Sequence, residues 1–230
     1  MGPGRPTPPP NHPGVSFAAG FAAALGLAVY LPIGKTAAMA ETSTRERILA
    51  IAGELFYRDG IRAVGIETIC REAGIKKPTL YHYFGSKDGL IAAYLEDRDE
   101  KVLAGLTGPA LRADGAAADR VATIFESVAR AARREAWKGC PFLRGAAEFA
   151  GERDHAARQL AVRHKRRFER WLADFLAEQG VSDPKPLARQ LTVLLDGAVA
   201  HAFLHGNGAY AREAGNAARA LIEGWGRAGR

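Results

Sequence analysis

The sequence predicts an all-α protein, and three observations carry that prediction. No segment alternates apolar and polar residues over the length of a strand. From Ile48 onward, apolar residues instead recur at three- and four-residue spacing. The blocks are divided by helix stops and starts at Asp59-Gly60, Ala73-Gly74, Gly108-Pro109, Gly139-Cys140-Pro141 and Gly180. At 230 residues the chain is one large domain or two small ones, with ample length for a buried core.

Taken in order, residues 1–14 are rich in proline and glycine and should be disordered. Residues 15–34 are apolar and uncharged, just long enough to span a bilayer, and Ala38-Met39-Ala40 imitates a signal-cleavage site. Met39 stands four residues before a helix cap, so translation is expected to start there, with residues 1–38 outside the working protein. The alternative is a membrane-tethered protein anchored by residues 15–34.

The first helix opens on a capping box, Ser43 with Glu46, and buries Ile48, Ala52, Leu55 and Phe56 until Asp59-Gly60 stops it. Two short helices follow across a tight turn. One carries Ile66, Ile69 and Cys70 and ends at Ala73-Gly74. The other starts near Pro78, where a first-position proline loses nothing, and is anchored by Leu80. The first helix should pack across both.

Ser86 caps a longer fourth helix with Leu90, Ile91, Tyr94, Leu95, Val102 and Leu106 on its face, broken by Gly108-Pro109. A fifth runs from about 116 to 135, a short sixth from Pro141, and a seventh over about 153–179. The eighth spans about 184–205 and the ninth about 209–226. The eighth (Leu187, Leu191, Leu194, Ala198, Ala202) and the ninth (Ala214, Ala218, Leu221, Trp225) have wide, small-residue faces suited to a partner.

Residues 65–89, GIETICREAGIKKPTLYHYFGSKDG, are the most informative stretch. A short helix cannot hold alone, so the second must be braced by its neighbours. Braced, it turns Lys76, Lys77, Thr79, Tyr81, His82 and Tyr83 outward, which is what a DNA groove needs. The stretch resembles the tetracycline-repressor (TetR) family of bacterial transcription regulators. The matching residues are Ala73-Gly74-Ile75, Lys77-x-Thr79-Leu80-Tyr81-x-Tyr83-Phe84 and Ser86-Lys87-Asp88-x-Leu90. One departure is Val64-Gly65-Ile66, where the family has Thr or Ser. Gly65 can cap the helix but brings no hydroxyl to a phosphate.

The resemblance implies a cytoplasmic homodimer, a repressor released from a palindromic DNA operator by a small-molecule inducer. Its DNA-binding domain would cover residues 42–102, with the motif at about 65–84. A helical effector-binding and dimerisation domain would cover 103–230. The implied DNA contacts are Lys76, Lys77, Pro78, Thr79, Tyr81, His82, Tyr83 and Lys87. Of these, Thr79, Tyr81, Tyr83 and Lys87 fall at phosphate-contacting positions. Lys77, Pro78, Tyr81 and His82 fall where base edges are read.

The charge balance agrees. Thirty-two basic residues against 25 acids give +7, which suits an anionic partner, and residues 1–38 contribute only Arg5 and Lys35 to it. No nucleophile elbow, P-loop or dinucleotide fingerprint is present, so an enzyme is not expected; an all-α ligand carrier is the rival class. No cofactor is expected.

Two cysteines, Cys70 and Cys140, form no disulfide framework or zinc pattern. Both read as packing residues, Cys140 with a redox-sensing alternative at a helix start. His201 and His205 have chelating spacing and Asp196 lies nearby, but no further ligand does, so no metal is expected. Asp196 and His201 are expected instead in a ligand cavity framed by Trp137, Phe142, Phe149, Phe168 and Trp171; the aromatics read equally as ordinary core. The run Arg163-His164-Lys165-Arg166-Arg167 surrounds a helix axis and reads as a solvated face, with an anionic effector on Arg163 or Arg167 as the second reading.

Overall fold

The computed structural model describes residues 43–225, which form nine α-helices and no strand. The extension expected over 1–38, and the start expected at Met39, lie outside the described residues.

Helix α1 (Thr44–Asp59) opens on the capping box. Ser43 Oγ accepts from Glu46 N at 3.3 Å, and the Glu46 carboxylate accepts from Ser43 N at 2.9 Å. Its face of Ile48, Ala52, Leu55 and Phe56 is buried. Helices α2 (Ile66–Ala73) and α3 (Lys77–Phe84) pack on each other, α2 against α1 and α3 against α4 (Lys87–Arg112). Pro78 is the second residue of α3, not the first; Lys76 is its N-cap.

Helix α4 joins head to body, and it does not break at Gly108-Pro109. Pro109 lies in the last turn, where its carbonyl still accepts from Ala113 N at 3.1 Å. A proline so near the end forfeits one N–H bond, and packing of Leu106 and Ala110 carries the helix past it. Helix α5 (Ala117–Ala131) stops short of 135, and the chain turns back toward α6 (Pro141–Glu148). Helix α7 (Ala156–Glu178) is capped by His155, whose Nδ1 accepts from Ala157 N at 3.1 Å. Helices α8 (Pro184–His205) and α9 (Ala209–Gly224) complete the body.

The body packs α4 on α5 and α7, α7 on α6 and α8, and α9 on α5 and α8. The α5–α9 contact is closest, because α9 lays glycine and alanine on α5. A Cβ at Gly208 would stand 2.4 Å from Ala129 O, and one at Gly215 would stand 3.0 Å from Phe125 Cβ. Ala211 and Ala218 continue this buried strip. Part of the face expected to meet a partner is therefore spent inside the protomer: Leu187, Leu191, Ala198, Ala202 and Ala218 are all buried here. The large apolar residues these two helices leave exposed are Val193, Phe203, Leu204, Tyr210 and Leu221.

One polar set inside the body is centred on Asp99. Asp99 accepts from Arg167 at 2.5 Å and meets His164 Nδ1 at 2.7 Å, while Phe142 stacks on the His164 ring at 3.9 Å. Burial pushes the His164 imidazole below its usual range, against the pull of Asp99.

A second polar set fastens head to body. The Glu148 carboxylate, from α6, accepts from the backbone N–H groups of Ile61 (3.0 Å) and Arg62 (2.7 Å) in the α1–α2 loop. Arg62 returns a bond to Glu148 O at 2.6 Å, lies over Phe149 and pairs with Glu152. Tyr57 Oη donates to Gly139 O and accepts from Lys138 N, and Arg144 donates to Tyr57 O. Burial pushes the Tyr57 phenol up to about 12, so it remains a donor.

Candidate nucleic-acid interface

The candidate interface is α3 and its two flanking turns. Gly74 makes the first turn in the left-handed region (φ 64°), and Ile75 N returns to Cys70 O at 3.0 Å, closing α2. Gly65 caps α2 with no side-chain bond, so the departure at this position leaves a hydroxyl-free cap.

Helix α3 is anchored by only two side chains, Leu80 (0% exposed) and Phe84 (9%). Everything between points away from the core. Tyr81 and Tyr83 are 45% and 40% exposed, and Lys76, Lys77, Pro78 and His82 are exposed with them. Thr79 is half-buried. Two large aromatic side chains are thus left partly in water, beside lysines. The His82 and Tyr83 rings meet edge-to-face at 5.2 Å, which fixes their directions.

Two of the lysines are held. Lys77 pairs with Glu67 across the α2–α3 turn, and the bond from Lys77 draws the Glu67 carboxyl below its usual range. Lys87 donates to Arg62 O at 3.4 Å and is half-buried; burial lowers its ammonium pKa. Both ammonium groups are thus engaged within the protein, Lys77 by a carboxylate and Lys87 by a backbone carbonyl.

Two features were not read from the sequence. Arg45, in the first turn of α1, lies 5.1 Å over the Phe84 ring and adds an exposed cation at the end of α3. Its only signal was a basic residue in a capping box. Gly89 is the other. A Cβ there would stand 2.1 Å from Phe84 O, so α4 can begin directly on the last carbonyl of α3 only with glycine.

The residues expected to line a ligand cavity are not gathered around one. Phe142 stacks on His164, and Phe149 on His155 at 3.6 Å. Phe168, Trp171 and Phe175 form a stacked row. Trp137 is buried beside Phe203 at the edge of a surface cleft of about 350 Å³. Asp196 is paired to Lys165, and His201 is exposed on the outer face of α8, stacked with His205 and Tyr210. Among the described residues no cluster of three or more His, Cys, Asp or Glu is placed to hold a metal.

Comparison with known proteins bears on the same elements. The model described as bacterial regulatory proteins, tetR family, matches residues 48–94, and that described as tetracyclin repressor-like, C-terminal domain, matches residues 146–227. The chain is 39% identical over 66 residues to the HTH-type transcriptional regulator UidR of Escherichia coli K12, a match covering 29% of this chain and 34% of UidR. It is 28% identical over 138 residues to the transcriptional repressor BdcR of the same organism, covering 58% and 66%. The crystal structure of a TetR transcriptional regulator from Streptomyces avermitilis MA-4680 superposes with a TM-score of 0.66 at 32% identity, covering 77% of this chain and 98% of that one. A braced outward helix, the nine-helix frame and a structural match spanning nearly all of a relative converge: the chain belongs to the TetR family of DNA-binding transcriptional regulators.

Proposed function

We propose that this chain is a homodimeric repressor that seats α3 of each protomer in the major groove of a palindromic operator. One observation carries the reading: α3 is pinned by Leu80 and Phe84 alone and leaves Tyr81, Tyr83, Lys76 and His82 in solvent. Lys77, Pro78, Tyr81 and His82 read base edges; Lys can donate to guanine O6 and N7, and Tyr or Pro packs on a thymine methyl. Thr79, Tyr83 and Lys87 hold phosphates, and Arg45 joins them. The named repressor activity of BdcR supports the direction of control.

The dimer forms through the outer faces of α8 and α9, where Val193, Leu204, Tyr210 and Leu221 stay exposed. A small-molecule inducer acts from the body, by binding better to a form whose two heads no longer match the half-site spacing. An apolar inducer would enter among Phe142, Phe168 and Trp171 by parting rings that are packed here. The protein works in the cytoplasm, where its DNA is.

The test is selection of binding sites from a random duplex pool, followed by gel-shift titration of the selected sequence. A two-fold symmetric consensus bound far more tightly than random duplex is the expected result. Recovery of no consensus from well-folded protein overturns the reading.

A further inference from the structure

Helix α7 carries a feature that DNA reading through α3 does not use. An open cleft of about 730 Å³ on its outer flank is rimmed by six arginines: Arg153, Arg158, Arg163, Arg166, Arg167 and Arg170. The other two lining residues, Gln159 and Val162, are neutral, and no carboxylate lines the cleft.

The five residues of the basic run do surround the helix axis, but its three arginines share one side. His164 turns into the core and Lys165 turns to Asp196. Arg163, Arg166 and Arg167 stay together with Arg170 on one side. Residues three and four apart on a helix are neighbours, so these four side chains repel one another. Relief comes from one edge only. Arg163 pairs with Glu96, and Arg167 with Asp99 and Glu100, all on α4. Arg153, Arg166 and Arg170 make no ion pair among the described residues. Arg158 is fixed by its bond to Ala150 O at 2.6 Å.

The chemistry that answers such a face is specific. Guanidinium groups match phosphate oxygens two at a time, and do so better than lysine. No aromatic ring lines the cleft, so nothing is built to stack on a base. The stripe from Arg158 to Arg170 extends roughly 18 Å at the helical rise, which favours a chain of charges over a point charge. It also climbs away from the DNA-reading end. His155 lies 3.5 Å from Asp88 at the start of α4, while Arg167 lies beside Asp99 and Glu100 farther along it. A straight duplex seated on α3 does not follow that line.

We propose that the outer face of α7 is a binding site for a linear oligophosphate, a chain of phosphoanhydride-linked groups, with Arg166, Arg170 and Arg153 as its primary ligands. The probe is inorganic tripolyphosphate, titrated calorimetrically into the full chain at physiological ionic strength. Orthophosphate and a duplex lacking the operator are the comparison ligands. Saturable tripolyphosphate binding is expected, with orthophosphate far weaker. The R166A/R170A double variant should lose about tenfold or more in affinity. R153A, tested alone, should lose less. Equal affinity in the unmutated and double-variant proteins, or no tripolyphosphate binding at that ionic strength, overturns the proposal. It is also overturned if the double variant loses affinity for the duplex alone, because the face would then serve nucleic acid.

Discussion

At the scale of single residues, the interface divides by how each side chain is held. Lys87 is half-buried and already directed at the α1–α2 loop, so Lys87→Ala should weaken binding to every duplex and flatten the salt dependence by roughly one unit. Tyr81 is free in solvent and should carry specificity: Tyr81→Ala should cost about 1–3 kcal/mol on the operator and little on random duplex. Gel-shift titrations at several salt concentrations separate the two, and unchanged operator affinity in both variants defeats the assignment. A second prediction concerns His164. Its folded pKa is depressed by burial, so its contribution to stability is complete above about pH 6.5, the unfolded value, and is lost as pH falls through the lower folded one. Asp99 acts in the same direction. Burial raises its pKa, but the bonds from His164 and Arg167 outweigh that and hold it low. Melting temperature should fall on acidification from neutral pH, and fall less in His164→Gln; parallel curves for the two proteins in calorimetry would refute this. The outward residues of α3 were legible because type and spacing declare them. Arg45 and Gly89 were not, because each acts through a neighbour distant in the pattern: a ring in one case, a carbonyl in the other.

At the scale of elements, most of the nine helices were readable from periodicity and punctuation, and α8 falls on the residues expected for it. The failures are instructive. Pro109 looked like a stop, but a proline in a final turn loses only one bond, and burial of Ala110 outweighs it. The small-residue faces of α8 and α9 looked available to a partner. Periodicity identifies an apolar face without saying which neighbour takes it, and here α5 takes much of the α9 face while α7 and α9 take much of α8's. The α3–α4 junction yields a prediction of its own. Gly89→Ala places a methyl group where Phe84 O already stands, so the turn must shift. Strain of this kind costs about 1–3 kcal/mol. Because the strain sits at the base of α3, operator affinity should fall more steeply than melting temperature. A variant with unchanged affinity would mean that the junction tolerates displacement.

At the scale of the whole molecule, the dimer proposal keeps Leu221 but otherwise rests on different residues from those the sequence suggested. Leu194 is only partly exposed, whereas Val193 (68%) and Leu204 (71%) are the most exposed large apolar side chains among the described residues. Val193→Arg or Leu204→Arg should leave the protomer folded and shift sedimentation toward monomer. An unmutated protein that sediments as monomer at micromolar concentration removes the dimer from the proposal. The general architecture was legible because head and body are each built from local helical patterns. The aromatic set of the body was not, because stacking partners such as His155 and His164 reach their rings only through tertiary packing.

The joint between head and body has a consequence for how such a molecule can be altered. Glu148 grips two peptide N–H groups, and Tyr57 meets the backbone of Lys138 and Gly139. Within the loop, the side chains the fastening uses are Arg62 and the buried Ile61, which packs against Gly145 of α6. None of the outward side chains of α3 takes part, so the letters of α3 can be rewritten while the joint, built by α1, the loop and α6, is inherited unchanged. A lineage can thus acquire a new address on the chromosome without rebuilding the body.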